Sequence, residues 1–338
     1  MSSINLKPIE EQVVVIVGCS SGIGRQTARR FAERGARLVL AGRDEATLWE
    51  VLDDVHSLGA SDALAVPCDV TQPETLQEVV RRATEAFGRI DSWVQTAAVS
   101  VYATAEETTI DEYHTVINTN LLGQIHGALA ALPALRAAGG GALIEISSVE
   151  AEVALPYQAA YGASKHGMSG FLRALRIELK AEGAPIAVTQ VMPAGIDTPL
   201  FMNARSKLGV VPKPTAPVYD PDVVADQVLW AAAHPMGDVF AGGGGWAVAW
   251  FRRMAPGPYE ELMARVGMPA QRSEIPENPD AVDNLDSPTP LTDTVRGGFG
   301  GRSFSVFNVV QRVPGIVRLG AVVAAVGGVL AVRRRSTR

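Results

Sequence analysis

Tyr161 and Lys165 stand four residues apart, and Ser147 and Ser148 precede them by a short loop. Residues four apart on a helix share one face. A phenol ionises near pH 10. An ammonium beside it favours the phenolate and lowers that value, which brings a tyrosine into the range of a general acid or base. Such a lysine also has donors for a ribose hydroxyl. A serine hydroxyl at Ser148 suits a substrate oxygen on which charge develops. Ser147, at the end of an apolar run, reads as strand-end structure. Tyrosine and lysine at this spacing also occur in helices that do no chemistry, so the surrounding elements must decide.

The earliest of these elements is the stretch VVVIVGCSSGIG, residues 13–24. Five β-branched residues without alternation read as a strand buried on both faces. The turn with Gly18, Gly22 and Gly24 and the apolar-striped helix after it open a nucleotide-binding βαβ unit. Ser20, Ser21 and Ile23 fill out that turn. Further strands read at 37–41, 63–67, 90–95, 142–147, 185–192 and 238–241. Helices read at 45–58, 74–87, 115–137, 159–181 and 222–234. Seven strands alternating with helices predict an α/β fold, a Rossmann-type doubly wound parallel sheet with helices on both faces. The strand-end rule puts the site where Gly18, Ala97, Ser148 and Pro193 converge.

The tip of the second strand carries Gly42, Arg43 and Asp44. An acid there bonds the ribose hydroxyls of NAD, whereas an arginine accepts the 2'-phosphate of NADP. Arg43 comes first and Arg25 adds positive charge, so the reading leans to NADP(H), with NAD(H) as the alternative that Asp44 keeps open. Asp69 and Val70 end the third strand; Asp69 either meets the adenine amino group or closes a turn with Thr71. Small residues at 96–98 permit a close approach of backbone to cofactor.

The chain has 338 residues, 47% of them hydrophobic, and a net charge of -6. This supplies a large core and lacks the basic field that nucleic-acid binding requires. Two cysteines, Cys19 and Cys68, give no disulfide framework and no metal spacing. Cys19 reads as a small turn residue, with a reactive thiol near a helix N-terminus as the other reading. The opening MSSINLKPIEEQ has no signal-peptide pattern, which points to a cytoplasmic catalytic domain.

The ordered set of motifs resembles the short-chain dehydrogenase/reductase family over about residues 10–250. GCSSGIG at 18–24 resembles its TGxxxGIG turn, and CDVT at 68–71 its adenine-side DV pair. Asn120 in NTNLLG resembles its NxxG asparagine. Ser148 in ISS stands thirteen residues before Tyr161 of YGASK, which resembles YxASK. PAGIDTP at 193–199 resembles PGxxxT. The resemblance implies that Tyr161 protonates the carbonyl oxygen during reduction, that Lys165 lowers its pKa and holds the nicotinamide ribose, and that Ser148 orients the carbonyl. It implies that Asn120 supports a water linking Lys165 to solvent. It places Pro193, Ile196 and Thr198 at the nicotinamide, with Thr198 at the carboxamide. It also implies a homodimer or homotetramer paired through the helices at 115–137 and 159–181.

The departures are QTAA at 95–98 for NNAG, Ala194 for the glycine of PG, and Val17 for the opening threonine. None removes a reacting group. The candidates for the substrate end are Val99, Val149, Glu150, Ala151, Glu152, Leu155, Met192, Leu200 and Phe201. Most are apolar, which predicts a small carbonyl or alcohol substrate with an apolar body. Glu150 and Glu152 are expected on the surface, though either has the chemistry to meet a polar group.

Beyond the strand at 238–241 the chain continues. Residues 251–268 read as a helical extension and 269–302, rich in Pro, Asp, Asn, Ser and Gly, as a mobile linker. Residues 303–338 form an apolar segment with a basic end. Within it, 319–332 carries no charge and Arg333 to Arg335 suit anionic lipid. That is short of the roughly 20 apolar residues of a spanning helix. A marginal span or an interfacial helix over 313–335 is expected, a helix docked on the body being the other reading. Taken together, the sequence predicts an NADP-preferring oxidoreductase that interconverts a carbonyl and an alcohol. The alternatives are an NAD-linked alcohol or steroid-like dehydrogenase and a nucleotide-binding scaffold recruited to a membrane.

Overall fold

The β-branched run Val13–Val17 forms β1, at the centre of the sheet and buried along its whole length. The computed structural model describes residues 4–278, 282–289 and 295–312. Around β1 lie β2 (Arg37–Gly42), β3 (Asp62–Pro67), β4 (Ser92–Gln95), β5 (Gly141–Ile146), β6 (Ile186–Pro193) and β7 (Asp238–Ala241). Their order is β7-β6-β5-β4-β1-β2-β3, all parallel, with the order reversing at β1. Such a reversal opens a crevice at the carboxyl ends of the strands.

Alternation along β1 divides the core. Val14 and Ile16 face α1 (Gly22–Ala32), α2 (Glu45–Ser57) and the helix Pro221–Ala233. Val13, Val15 and Val17 face α3 (Pro73–Phe87), α5 (Gly123–Ala137) and α6 (Ala159–Glu182). Each of these five side chains is at most 1% exposed, and full burial of a valine contributes about 1.5–3 kcal/mol.

The single helix expected at 115–137 is instead divided. A Thr109–Glu112 capping box starts α4 (Ile110–Ile117), and a π turn at Asn118–Leu122 separates it from α5. The side chain of Asn120 explains the break. Its Nδ2 donates to Val99 O at 2.8 Å and its Oδ1 accepts from Val99 N at 2.9 Å, so the amide grips neighbouring backbone. Single π turns inside helices occur often at functional sites.

Past Pro221–Ala233, which is α7, come α8 (Gly243–Met254), α9 (Pro256–Leu262) and α10 (Val306–Arg312). Residues 269–302 are expected as a mobile linker, and part of that stretch lies outside the described residues. Its described residues are tied to the body. Strand residues Arg272–Pro276 pair antiparallel with Val210–Pro212. Arg205 grips Asp283 at 2.8 Å, and Arg296 grips Asp220 at 2.7 Å. Asp197 accepts from the backbone N–H groups of Gly297, Phe299 and Gly300 at 2.9–3.0 Å. The polar composition that marks a linker here serves hydrogen bonds to the enzyme body. The expected membrane segment 313–335 lies outside the described residues. Among the described residues, no helix is long and apolar enough to cross a membrane.

Candidate active site

The glycine turn after β1 forms one end of a cleft of about 810 Å³. Gly18 has φ +84°, and a Cβ there would lie 2.6 Å from Ala97 N. A Cβ on Gly24 would lie 2.1 Å from Gly18 O. The turn is therefore packed so closely that only glycine fits, which leaves backbone N–H groups and the N-terminus of α1 facing the cleft, an arrangement suited to phosphate. The QTAA departure is stitched into this cradle. Thr96 Oγ1 donates to Val17 O at 2.9 Å and Gly18 O at 2.7 Å. Gln95 Nε2 donates to Gly123 O at 2.6 Å, and its Oε1 accepts from Trp93 at 3.0 Å. Cys19 is the small turn residue; burial pushes its thiol up to about 12, so it is no nucleophile at neutral pH.

Every residue expected at the cofactor, from Gly18 through Ser20, Ser21, Arg43, Asp69 and Ala97 to Pro193, Ile196 and Thr198, lines this one cleft. Local bonds refine their roles. Asp44 caps α2, accepting from Thr47 N at 3.0 Å, so the acid that competed with Arg43 is spent on a helix end. Arg25 is paired with Asp54 at 3.4 Å and Glu50 at 3.9 Å, so its charge is shared with α2. Asp69 accepts from Thr71 N at 2.9 Å and its hydroxyl at 2.8 Å, the turn geometry. Arg43 is exposed on the cleft rim and donates to Asn284 O at 3.0 Å. The glycine cradle, helix N-terminus and rim guanidinium thus fit a dinucleotide.

At the other end, the first turns of α6 place Tyr161 and Lys165 beside Ser148. Ser148, Tyr161 and Lys165 all line the cleft, and the Ser148 side chain is near enough to act on the Tyr161 phenol. Lys165, 1% exposed, donates to Ile146 O at 3.1 Å, and its ammonium lies 5.4 Å from the Tyr161 ring centroid. Burial lowers its pKa to about 8, while Glu145 and Glu150 oppose the shift. The expected lowering of the tyrosine does not appear in this geometry. Burial, helped by the charge of Glu150, pushes the phenol up, and the nearby Ser148 side chain opposes this. Asn120 does not line the cleft: its side chain is committed to Val99, behind the reacting groups. Ser147 accepts from Gln190 Nε2 at 3.0 Å, as strand-end structure.

The substrate end is walled by Val99, Val149, Leu155, Leu200 and Phe201 as expected, and by Tyr102, whose ring lies 6.2 Å from that of Phe201. Ala151, Glu152 and Met192 are not on the wall; Glu152 pairs with Arg173. Glu150 is a correction in burial. It is 4% exposed and lines the cleft, and burial pushes its pKa up to about 8. Glu145, visible in the sequence as the acid interrupting an apolar strand, is fully buried, and neither carboxylate oxygen is hydrogen-bonded among the described residues. Gln271, Asn284 and Leu285 also line the cleft. No motif marks them, because they come from the extension.

Known proteins resemble this chain in sequence and fold. A family model described as short chain dehydrogenase matches residues 12–209. An uncharacterised oxidoreductase, YxnA of Bacillus subtilis, is 36% identical over 280 residues, covering 82% of this chain and 78% of that protein. Dehydrogenase/reductase SDR family member 7B of Danio rerio is 34% identical over 266 residues, covering 76% and 85%. An alcohol dehydrogenase from the archaeon Thermococcus sibiricus, solved with 5-hydroxy-NADP, shares the fold with a TM-score of 0.60 at 24% identity, covering 68% of this chain and 95% of that one.

Proposed function

Because the chain belongs to the short-chain dehydrogenase/reductase family of NAD(P)-dependent oxidoreductases, we propose that it interconverts a carbonyl and an alcohol, with NADP(H) preferred. The observation that carries this reading is the gathering of Ser148, Tyr161 and Lys165, the last two one helical turn apart on α6, on the same cleft as the glycine cradle. The nicotinamide, when bound, supplies or takes the hydride. The chain's own residues handle the oxygen and the proton. Ser148 and Tyr161 donate hydrogen bonds to the carbonyl oxygen. As charge develops there, Tyr161 gives up its phenolic proton and Lys165 stabilises the phenolate left behind. Solvent then returns the proton. Asn120 acts by holding the 97–99 loop against the π turn.

The NADP preference rests on Arg43 at the rim and on Asp44 being occupied as a helix cap. An NAD-linked dehydrogenase is favoured by a different contact, the hold of Asn284 O on the Arg43 guanidinium. Titrating NADPH and NADH against the wild type and Arg43→Ala separates the two. Selective loss of NADPH affinity in the variant supports the first reading; equal affinities in both proteins refute it. Tyr161→Phe should abolish reduction of a ketone panel while leaving cofactor affinity in place, and retained turnover would sink the assignment. Self-association through α5 and α6 is part of the same proposal, since Leu129 and Ile177 on these helices are 55% and 69% exposed. A monomeric wild type in light scattering would exclude it.

A further inference from the structure

Glu150 is held in the substrate end of the cleft with no group among the described residues bonded to its Oε2. It is 4% exposed, and its Oε2 is enclosed without a hydrogen-bond partner. Its position is fixed on two sides. The backbone N–H of Glu150 donates to Ser148 Oγ at 3.1 Å. A Cβ on Gly162, the residue after Tyr161, would lie 3.6 Å from Glu150 Oε2. The carboxyl group thus stands against the first turn of α6, and Glu150 lines the cleft together with Ser148 and Tyr161. Of the donors around it, Lys165 gives one of its three N–H groups to Ile146 O at 3.1 Å and the Tyr259 hydroxyl donates to Ala154 O at 2.6 Å, and none bonds Glu150 Oε2. The nearby wall from Val149, Leu155, Leu200 and Phe201 is apolar. A buried polar group without a partner is costly, and one that lines a cleft is satisfied most simply by the ligand.

We propose that Glu150 is a specificity-determining residue that hydrogen-bonds a hydroxyl next to the reacting carbon, so that the substrates are hydroxy-substituted ketones or aldehydes and, in reverse, diols. This rests on the oxidoreductase reading above. A hydroxyl is favoured over an ammonium because Lys165 already places a positive charge in the field of Glu150, and a second cation would meet repulsion. A hydroxyl both donates and accepts, so it satisfies the acid in either protonation state.

The test uses 2-hydroxyacetophenone and 2-methoxyacetophenone, which place an oxygen at the same position but differ in the donor. Their binding to the full-length protein saturated with NADP+ is measured by calorimetry, and their reduction with NADPH by kcat/KM. The wild type should favour the hydroxy compound by about tenfold or more in both measurements. Glu150→Leu should bring the ratio to within about twofold, and Glu150→Gln, whose amide donates and accepts, should keep most of it. A wild type without the preference, or a Glu150→Leu variant that keeps it, overturns the proposal. Preferential binding without reduction of either compound would support the hydroxyl site and count against the carbonyl-reductase reading. Reduction of both without preference would do the reverse.

Discussion

Glu150→Gln should flatten the loss of stability that the wild type shows as pH rises from mildly acidic to neutral. An ordinary glutamate ionises near 4.5, whereas burial holds Glu150 at about 8. In the unfolded chain this group is ionised throughout the interval between those values; in the folded protein it keeps its proton. The folded state then binds one proton more, so stability falls with rising pH at about 1.4 kcal/mol per unit. The contribution is fully present below the unfolded pKa and is lost as pH climbs through the folded one. Between pH 5.5 and 7.5 the wild type should lose about 3 kcal/mol more than Glu150→Gln, which has no proton to exchange. Glu145, whose pKa burial also raises, is present in both proteins and cancels in the difference. Lys165, held at about 8, sets the upper limit of the useful window. Urea unfolding at the two pH values, at one protein concentration, gives the comparison. Parallel losses in the two proteins would mean that the carboxyl is already ionised at pH 5.5, and the reading of Glu150 as an unpartnered acid would fall.

Other perturbations probe the frame around the site. Gly24→Ala should weaken NADPH binding by about tenfold or more while circular dichroism shows an intact fold, because the added Cβ would meet Gly18 O at 2.1 Å; unchanged affinity in a fluorescence titration would contradict the close-packed cradle. Asn120→Ala removes both bonds to Val99 and should cost roughly 2–3 kcal/mol in urea unfolding. Asp197→Ala deprives three backbone N–H groups of their acceptor. It should release the segment at 296–302 to limited proteolysis and cost about 3 kcal/mol, and a cleavage pattern like that of the wild type would refute the latch.

The parts of this protein that could be read in the sequence are those whose physics is local. A β-branched run such as Val13–Val17 announces a buried parallel strand, and a turn that places Gly24 against Gly18 announces a cradle, since no other residue fits. Tyr161 and Lys165 fall on one face because helical spacing puts them there. The π turn at Asn118–Leu122 was hidden because it depends on an amide reaching Val99, twenty-one residues earlier. The burial of Glu150 was hidden for a related reason. A glutamate in a short loop belongs in water unless something covers it, and what covers this loop comes from a hundred residues further on. Tyr259 bonds Ala154 O at 2.6 Å, Gln271 bonds Pro156 O at 2.9 Å and receives Gln158 at 2.8 Å, and Gly267 packs so closely on Pro156 that a Cβ there would lie 3.0 Å away. These contacts seal the 148–158 loop from outside. Further along, Asp197, one residue before Thr198, is bound by the backbone of 297–300, so the same extension braces the loop expected at the nicotinamide. The Pro- and Gly-rich composition of 269–302 cannot build a core of its own, yet it can supply N–H donors, carboxylates and close-packing glycines to one that already exists. The extension is thus a wall of the same cleft that Glu150 lines.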